Sequence, residues 1–184
     1  MNPTDRDVIA VFGASQVHAG DVAYEDGVEC GRRLAEAGFA IATGGYGGIM
    51  EAACRGAREA GGPTIGVTAP SVFPARSGAN QWVDHEIPSD DLVERIGILT
   101  SLASGCVALP GSLGTLTELV MAWNLAFVAP FSDEAFGPIV AVGDTWAQVV
   151  RSLTDRLDTD GSFVVAAPTA ADAVETLVTA IGES

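Results

Sequence analysis

Apolar, β-branched-rich runs alternate along the chain with segments whose apolar residues recur at helical spacing. The extended runs at 8–12, 39–43, 64–68, 105–109, 139–142 and 163–166 predict strands. The stretches at roughly 22–37, 48–60, 90–104, 115–128, 145–157 and 170–181 predict helices, from apolar spacing and caps. Such alternation implies a mostly parallel, doubly wound α/β sheet with helices on both faces. Several of the strands are apolar throughout, as strands buried on two sides should be. No repeat, linker or low-complexity segment divides residues 1–184, so one domain is expected. The irregular piece is Ala69 to Pro88, which contains Pro70, Pro74 and Gly78 and is long enough for a lid or a partner-binding loop.

Ligands of open parallel sheets sit at the carboxyl ends of strands, where βα turns meet. Three turns here suit that place. Gly13-Ala14-Ser15 follows the first strand with small residues that let a ligand approach the backbone. Gly44-Gly45-Tyr46-Gly47-Gly48 packs four glycines into five positions ahead of a helix, where glycine permits positive φ and bare N–H groups. Tight strand-to-helix packing alone would account for one or two of them. Gly111-Ser112-Leu113-Gly114-Thr115 opens another helix, whose unpaired amides and positive dipole end favour an anion.

The charge balance sharpens this picture. Nine basic and 24 acidic residues give a formal net charge of −15, and every basic residue is arginine because the sequence lacks lysine. A pyridoxal-phosphate enzyme and a Walker-type nucleotide-binding loop each require a lysine, so both classes are excluded. An acidic surface repels polyanions, so nucleic acid is not an expected partner. Cys30, Cys54 and Cys106 are odd in number and lack Cys-x-x-Cys spacing, which reads as reduced core thiols in a cytoplasmic protein. The polar segment Met1 to Asp7 has no signal-peptide pattern. Residues 96–132 are uncharged apart from Glu118, but Pro110, Gly111 and Gly114 interrupt them, so strand, turn and helix are expected instead of a membrane span. His18 and His85 lack ligand-like spacing and predict no metal site.

Two charged residues stand out. Glu118 lies alone in that apolar stretch, and burying an unpartnered ion costs several kcal/mol, so it is a candidate for chemistry. The competing reading makes Thr115 an N-cap and Thr115-x-x-Glu118 a capping box, with the acid in the first turn and its pKa depressed. Arg95 lies four residues after Asp91, which reads as an exposed ion pair worth roughly 0.3–0.5 kcal/mol. Arg55 and Arg58 read as a solvated face with Glu51 and Glu59. Trp123, Trp146 and Phe127 read as core or interface packing.

Gly44-Gly45-Tyr46-Gly47-Gly48-Ile49-Met50 and Pro110-Gly111-Ser112-Leu113-Gly114-Thr115-Leu116-Thr117-Glu118 together resemble the paired motifs of the LOG (Lonely Guy) family, long mislabelled as lysine decarboxylases, over about Val8 to Val128. The resemblance implies a Rossmann-like fold, a homodimer and hydrolysis of the N-glycosidic bond of a nucleoside 5′-monophosphate such as AMP, with no metal or redox cofactor. It makes Arg95 and Glu118 the catalytic pair. With the three turns, this gives Gly13, Ala14, Ser15, Gly44, Gly45, Gly47, Gly48, Met50, Gly111, Ser112, Leu113, Gly114 and Thr115 as the substrate-binding residues. Ser112 stands where the motif has a second glycine, and Val93 and Ile96 flank Arg95 in place of the family's histidine and lysine. Gly44 to Gly62 is similar to the branch that includes molybdenum-cofactor carrier proteins, which implies an alternative: a non-catalytic carrier of a phosphorylated small molecule.

Overall fold

The computed structural model describes residues 2–76, 78–131 and 136–182; Ser77 of the 69–88 loop and Ser132 of the uncharged stretch lie outside them. Seven strands form one sheet: β1 (Val8–Phe12), β2 (Ala40–Thr43), β3 (Thr64–Thr68), β4 (His85–Pro88), β5 (Ala103–Ala108), β6 (Ile139–Val142) and β7 (Val164–Ala167). Their order is β4-β3-β2-β1-β5-β6-β7, and every neighbouring pair is parallel. The helices are α1 (Val22–Glu36), α2 (Ile49–Glu59), α3 (Leu92–Leu102), α4 (Leu113–Val128), α5 (Asp144–Leu157) and α6 (Ala170–Gly182).

Strand residues alternate between two cores. Ile9, Val11, Ile41, Val107 and Val140 face α1, α2 and α6. Val8, Ala10, Phe12, Val67, Cys106 and Ile139 face α3, α4 and α5. Both sides of each inner strand are therefore dry, which is why β1, β2 and β3 are buried at every position. On the first face Gly31 and Gly56 bring α1 and α2 into backbone contact: a Cβ at either would lie about 2 Å from a carbonyl oxygen of the other helix.

One strand departs from the sequence reading. β4 lies within the segment expected to be irregular. It is four residues long, exposed at three of them, and forms the sheet edge by pairing with β3. His-Glu-Ile-Pro has one apolar position to mark it, and its proline is tolerated because an edge strand has a free side. Leu113–Phe131 is the one described helical segment long and apolar enough to cross a membrane. Here it follows β5 and packs Leu119, Ala122, Trp123 and Ala126 into the second core.

The chain order reverses at β1, which lies between β2 and β5. The turns after β1, β2 and β5 thus converge at the switch point where ligands of such sheets bind.

Candidate active site

Ala14 ties the three turns together. Its N–H donates to the Pro110 carbonyl at 3.1 Å, and its carbonyl accepts from the Ile49 N–H at 2.8 Å. Gly13 and Gly48 are part of this joint: a Cβ on Gly13 would lie 2.5 Å from the Ile49 side chain, and one on Gly48 would lie 2.3 Å from the Ala14 carbonyl. Two glycines of the predicted set thereby serve the packing of the turns, while Ser15 and Gly47 face an open cleft.

Asp91 begins the helix that presents Arg95. Its carboxylate accepts from the Val93 and Glu94 amides, both at 2.8 Å, and so caps α3. Arg95 turns inward and is 8% exposed, so the exposed Asp91 ion pair expected from spacing does not form. Its Nε donates to the Val67 carbonyl at 2.8 Å, one Nη lies 3.7 Å from Met50 Sδ, and the other lies 3.6 Å from Glu118 Oε1. The guanidinium also stands 5.8 Å from the centre of the Tyr46 ring. Gly44 makes room for it, since a Cβ there would sit 1.5 Å from an Arg95 nitrogen. Met50 and Gly44, predicted to touch substrate, are thus the bed on which Arg95 rests.

Glu118 comes from α4, whose first residue is Leu113 and whose N-cap is Ser112. This corrects the capping-box reading: Thr115 is the third residue of the helix, and Glu118 lies in the second turn, out of reach of the N-cap amide. The depressed pKa expected of a first-turn acid is overturned with it. Burial pushes the Glu118 carboxyl up to about 7 against the opposing pull of Arg95. Burial likewise lowers the Arg95 pKa, with Glu118 opposing and Arg76 adding to the effect. For both partners desolvation outweighs attraction, as expected of a nearly dry pair held at 3.6 Å, beyond hydrogen-bonding distance. Among the described residues the Glu118 carboxylate has Arg95 as its ionic partner and accepts no hydrogen bond, which leaves it open to water or substrate.

The start of α4 lies beside this pair. Gly111, Ser112, Leu113 and Gly114 are exposed, and Ser112 makes no side-chain cap, so the first-turn amides face outward as an anion site requires. Thr115 is instead turned inward, 2% exposed, and Gly111 leaves it room.

The sequence reading missed the neighbouring wall. The Tyr46 hydroxyl accepts from the Ala69 N–H at 2.8 Å, and the Asn80 side chain donates to the Gly45 and Tyr46 carbonyls at 3.0 and 2.9 Å. The segment from Ala69 to Asn80 is pinned at both ends to the glycine turn, so it forms a wall of the site. An aromatic residue amid four glycines was the available signal, because such a ring needs a fixed bed. The three cysteines are buried, with Cys30 and Cys54 pushed up to about 12 by burial, and take no part in the site. His18 and His85 are exposed. Arg55 pairs with Glu59 at 2.8 Å as expected, whereas Arg58 pairs with Asp84 and Glu51 reaches the cleft. Among the described residues no cluster suited to a metal ion occurs.

The class defined by this fold and site is the Rossmann-like α/β protein whose glycine turns and buried Arg–Glu pair meet at the sheet's switch point. More narrowly, the chain belongs to the SLOG cluster4 family, whose sequence model matches residues 6–128, and with it to the LOG-like superfamily. It is 34% identical over 140 residues to a cytokinin riboside 5′-monophosphate phosphoribohydrolase of Mycobacterium tuberculosis, covering 75% of this chain and 71% of that one. Its fold matches the molybdenum cofactor carrier protein of Chlamydomonas reinhardtii with a TM-score of 0.76 at 25% identity, covering 96% and 99% of the two chains. The molybdenum cofactor binding protein of Rippkaea orientalis shares the fold, with a TM-score of 0.74 at 23% identity over 95% and 96%.

Proposed function

We propose that this protein is a nucleoside 5′-monophosphate phosphoribohydrolase that releases free base and ribose 5-phosphate. The observation that carries the reading is the Arg95–Glu118 pair, buried at the switch point beside the open first turn of α4. The phosphate rests on the amides from Gly111 to Thr115, in a chain whose net charge of −15 makes such a local positive potential necessary. Glu118 takes a proton from water as the oxygen bonds to the anomeric carbon and the C–N bond breaks. Its negative charge also stabilises the oxocarbenium-like transition state, and the proton passes to the departing base. Arg95 orients the carboxylate and stabilises negative charge on phosphate or leaving group. The likeness to the mycobacterial phosphoribohydrolase supports this chemistry. The end-to-end likeness to the algal carrier protein favours a second reading, a carrier that binds a phosphorylated ligand without turnover.

A pH profile tests the assignment of the base. Only ionised Glu118 accepts a proton, and its pKa in the folded chain is raised to about 7. The kcat/KM for base release should therefore rise about tenfold per pH unit below 7 and level off above it. A rate that rises toward acid pH would remove Glu118 as the base.

The proposal includes assembly as a homodimer and operation in the cytoplasm. Leu113, Val120, Met121, Phe127, Val128 and Phe131 stay exposed along one side of α4 and its extension, an apolar surface suited to a second copy. Trp123 is not among them; it is buried and its indole donates to the Asp160 carbonyl at 2.8 Å. Sedimentation at micromolar concentration should give a dimer, and a monomer at that concentration would contradict this part of the reading.

A further inference from the structure

Arg76 is a cation beside the site that the chemistry above leaves unused. It stands on the Ala69–Asn80 wall, with its guanidinium 4.4 Å from the centre of the Tyr46 ring and 4.5 Å from that of Phe73. Those two rings pack edge to face at 5.5 Å. Carboxylates outnumber cations 24 to 9 in this chain, yet among the described residues no carboxylate forms an ion pair with Arg76, and no side-chain hydrogen bond is made by its guanidinium. Two aromatic faces hold it in place, so its planar fork of donors is presented in a fixed position. That fork faces a cleft of about 450 Å³ lined also by Ser15, Tyr46, Gly47, Glu51 and Gln81.

The topology says which part of a ligand reaches this cleft. The phosphate-binding amides follow β5, whereas Tyr46 and Gly47 follow β2, two strand spacings away in the sheet. That separation is on the order of 10 Å, which a ribose and a fused-ring base fill. Resting on the phosphoribohydrolase reading, then, the Arg76 cleft receives the base. Its polar groups are a donor fork on Arg76, the Gln81 amide, and the Glu51 carboxylate as acceptor; Asn80 already spends its amide on Gly45, Tyr46 and Trp82. A guanidinium fork matches two adjacent acceptors such as O6 and N7 of guanine, whereas adenine offers a donor at the 6-position, which a guanidinium, having no acceptor, cannot pair with. A carboxylate complements the ring N–H of an oxopurine. We propose that Arg76 is a specificity-determining residue that selects a 6-oxopurine nucleotide over a 6-aminopurine one.

The test is calorimetric titration of GMP and AMP into the Glu118→Gln protein, in which the ligands are not consumed, with and without Arg76→Met. Arg76→Met keeps an unbranched chain against Tyr46 and Phe73. The expected result is a preference for GMP of about 10- to 100-fold, the range of one well-made bidentate contact, which falls to within about threefold in Arg76→Met while AMP affinity holds. Arg76→Lys keeps the charge without the fork and should lose most of the preference too. Equal affinity for the two nucleotides, or a preference that survives Arg76→Met, would overturn this inference and leave the phosphoribohydrolase reading standing. Failure of both nucleotides to bind would overturn both.

Discussion

Glu118→Gln lowers base release by about 10²- to 10⁴-fold, the usual worth of a positioned general base, and leaves nucleotide affinity within a few-fold of the parent. The change keeps the shape of the side chain but removes the charge that accepts the proton and faces the oxocarbenium-like centre. Because α4 begins at Leu113 with Ser112 as its cap, Glu118 does no capping work that glutamine would need to replace. Parallel measurement of single-turnover base release and of nucleotide binding decides the point. A Glu118→Gln enzyme that releases base at the parent rate would make Glu118 a structural residue.

Gly44→Ala should be nearly as damaging, although Gly44 touches no reacting group. The added methyl would stand 1.5 Å from an Arg95 nitrogen and 2.6 Å from Met50 Sδ. Arg95 is held on its other side by the Val67 carbonyl, so it has to leave its bed and give up the Glu118 pair. Disrupting a buried pair costs roughly 3–5 kcal/mol, to be read from denaturant unfolding, and base release should fall to the level of an Arg95→Met enzyme. Gly47→Ala is the control, since its Cβ would meet only a Glu51 oxygen at 3.9 Å. Similar stability of the two alanine variants would show that Arg95 can be accommodated elsewhere.

These two residues also show how much of the site was legible in the sequence. Glu118 is conspicuous because nothing else in its stretch is charged, and the resemblance to the LOG family's paired motifs is what ties it to Arg95. The alternation of runs located six of the seven strands and all six helices, because strands buried on both faces need continuous apolar runs. β4 was not legible, because an exposed edge strand has no core to impose a pattern. The start of α4 at Leu113 is masked for a related reason: Thr115 looks like a cap by residue type, but the small Gly111 beside it lets Thr115 turn inward. The glycine run alone suggests a ligand wall, whereas Gly44 accommodates a side chain from α3, about fifty positions further along the chain. Contacts of that range lie outside any local pattern. The placement of Arg76 is hidden for the same reason, since it depends on two rings and a pinned loop.

The most direct measurement is incubation of the purified protein with a panel of nucleoside 5′-monophosphates and the matching nucleosides, with detection of free base and ribose 5-phosphate. A phosphoribohydrolase anchored through the amides of Gly111 to Thr115 gives equal amounts of base and ribose 5-phosphate from at least one nucleotide, and no base from its nucleoside. Tight nucleotide binding without base release from any member of the panel would contradict the account and make the protein a carrier.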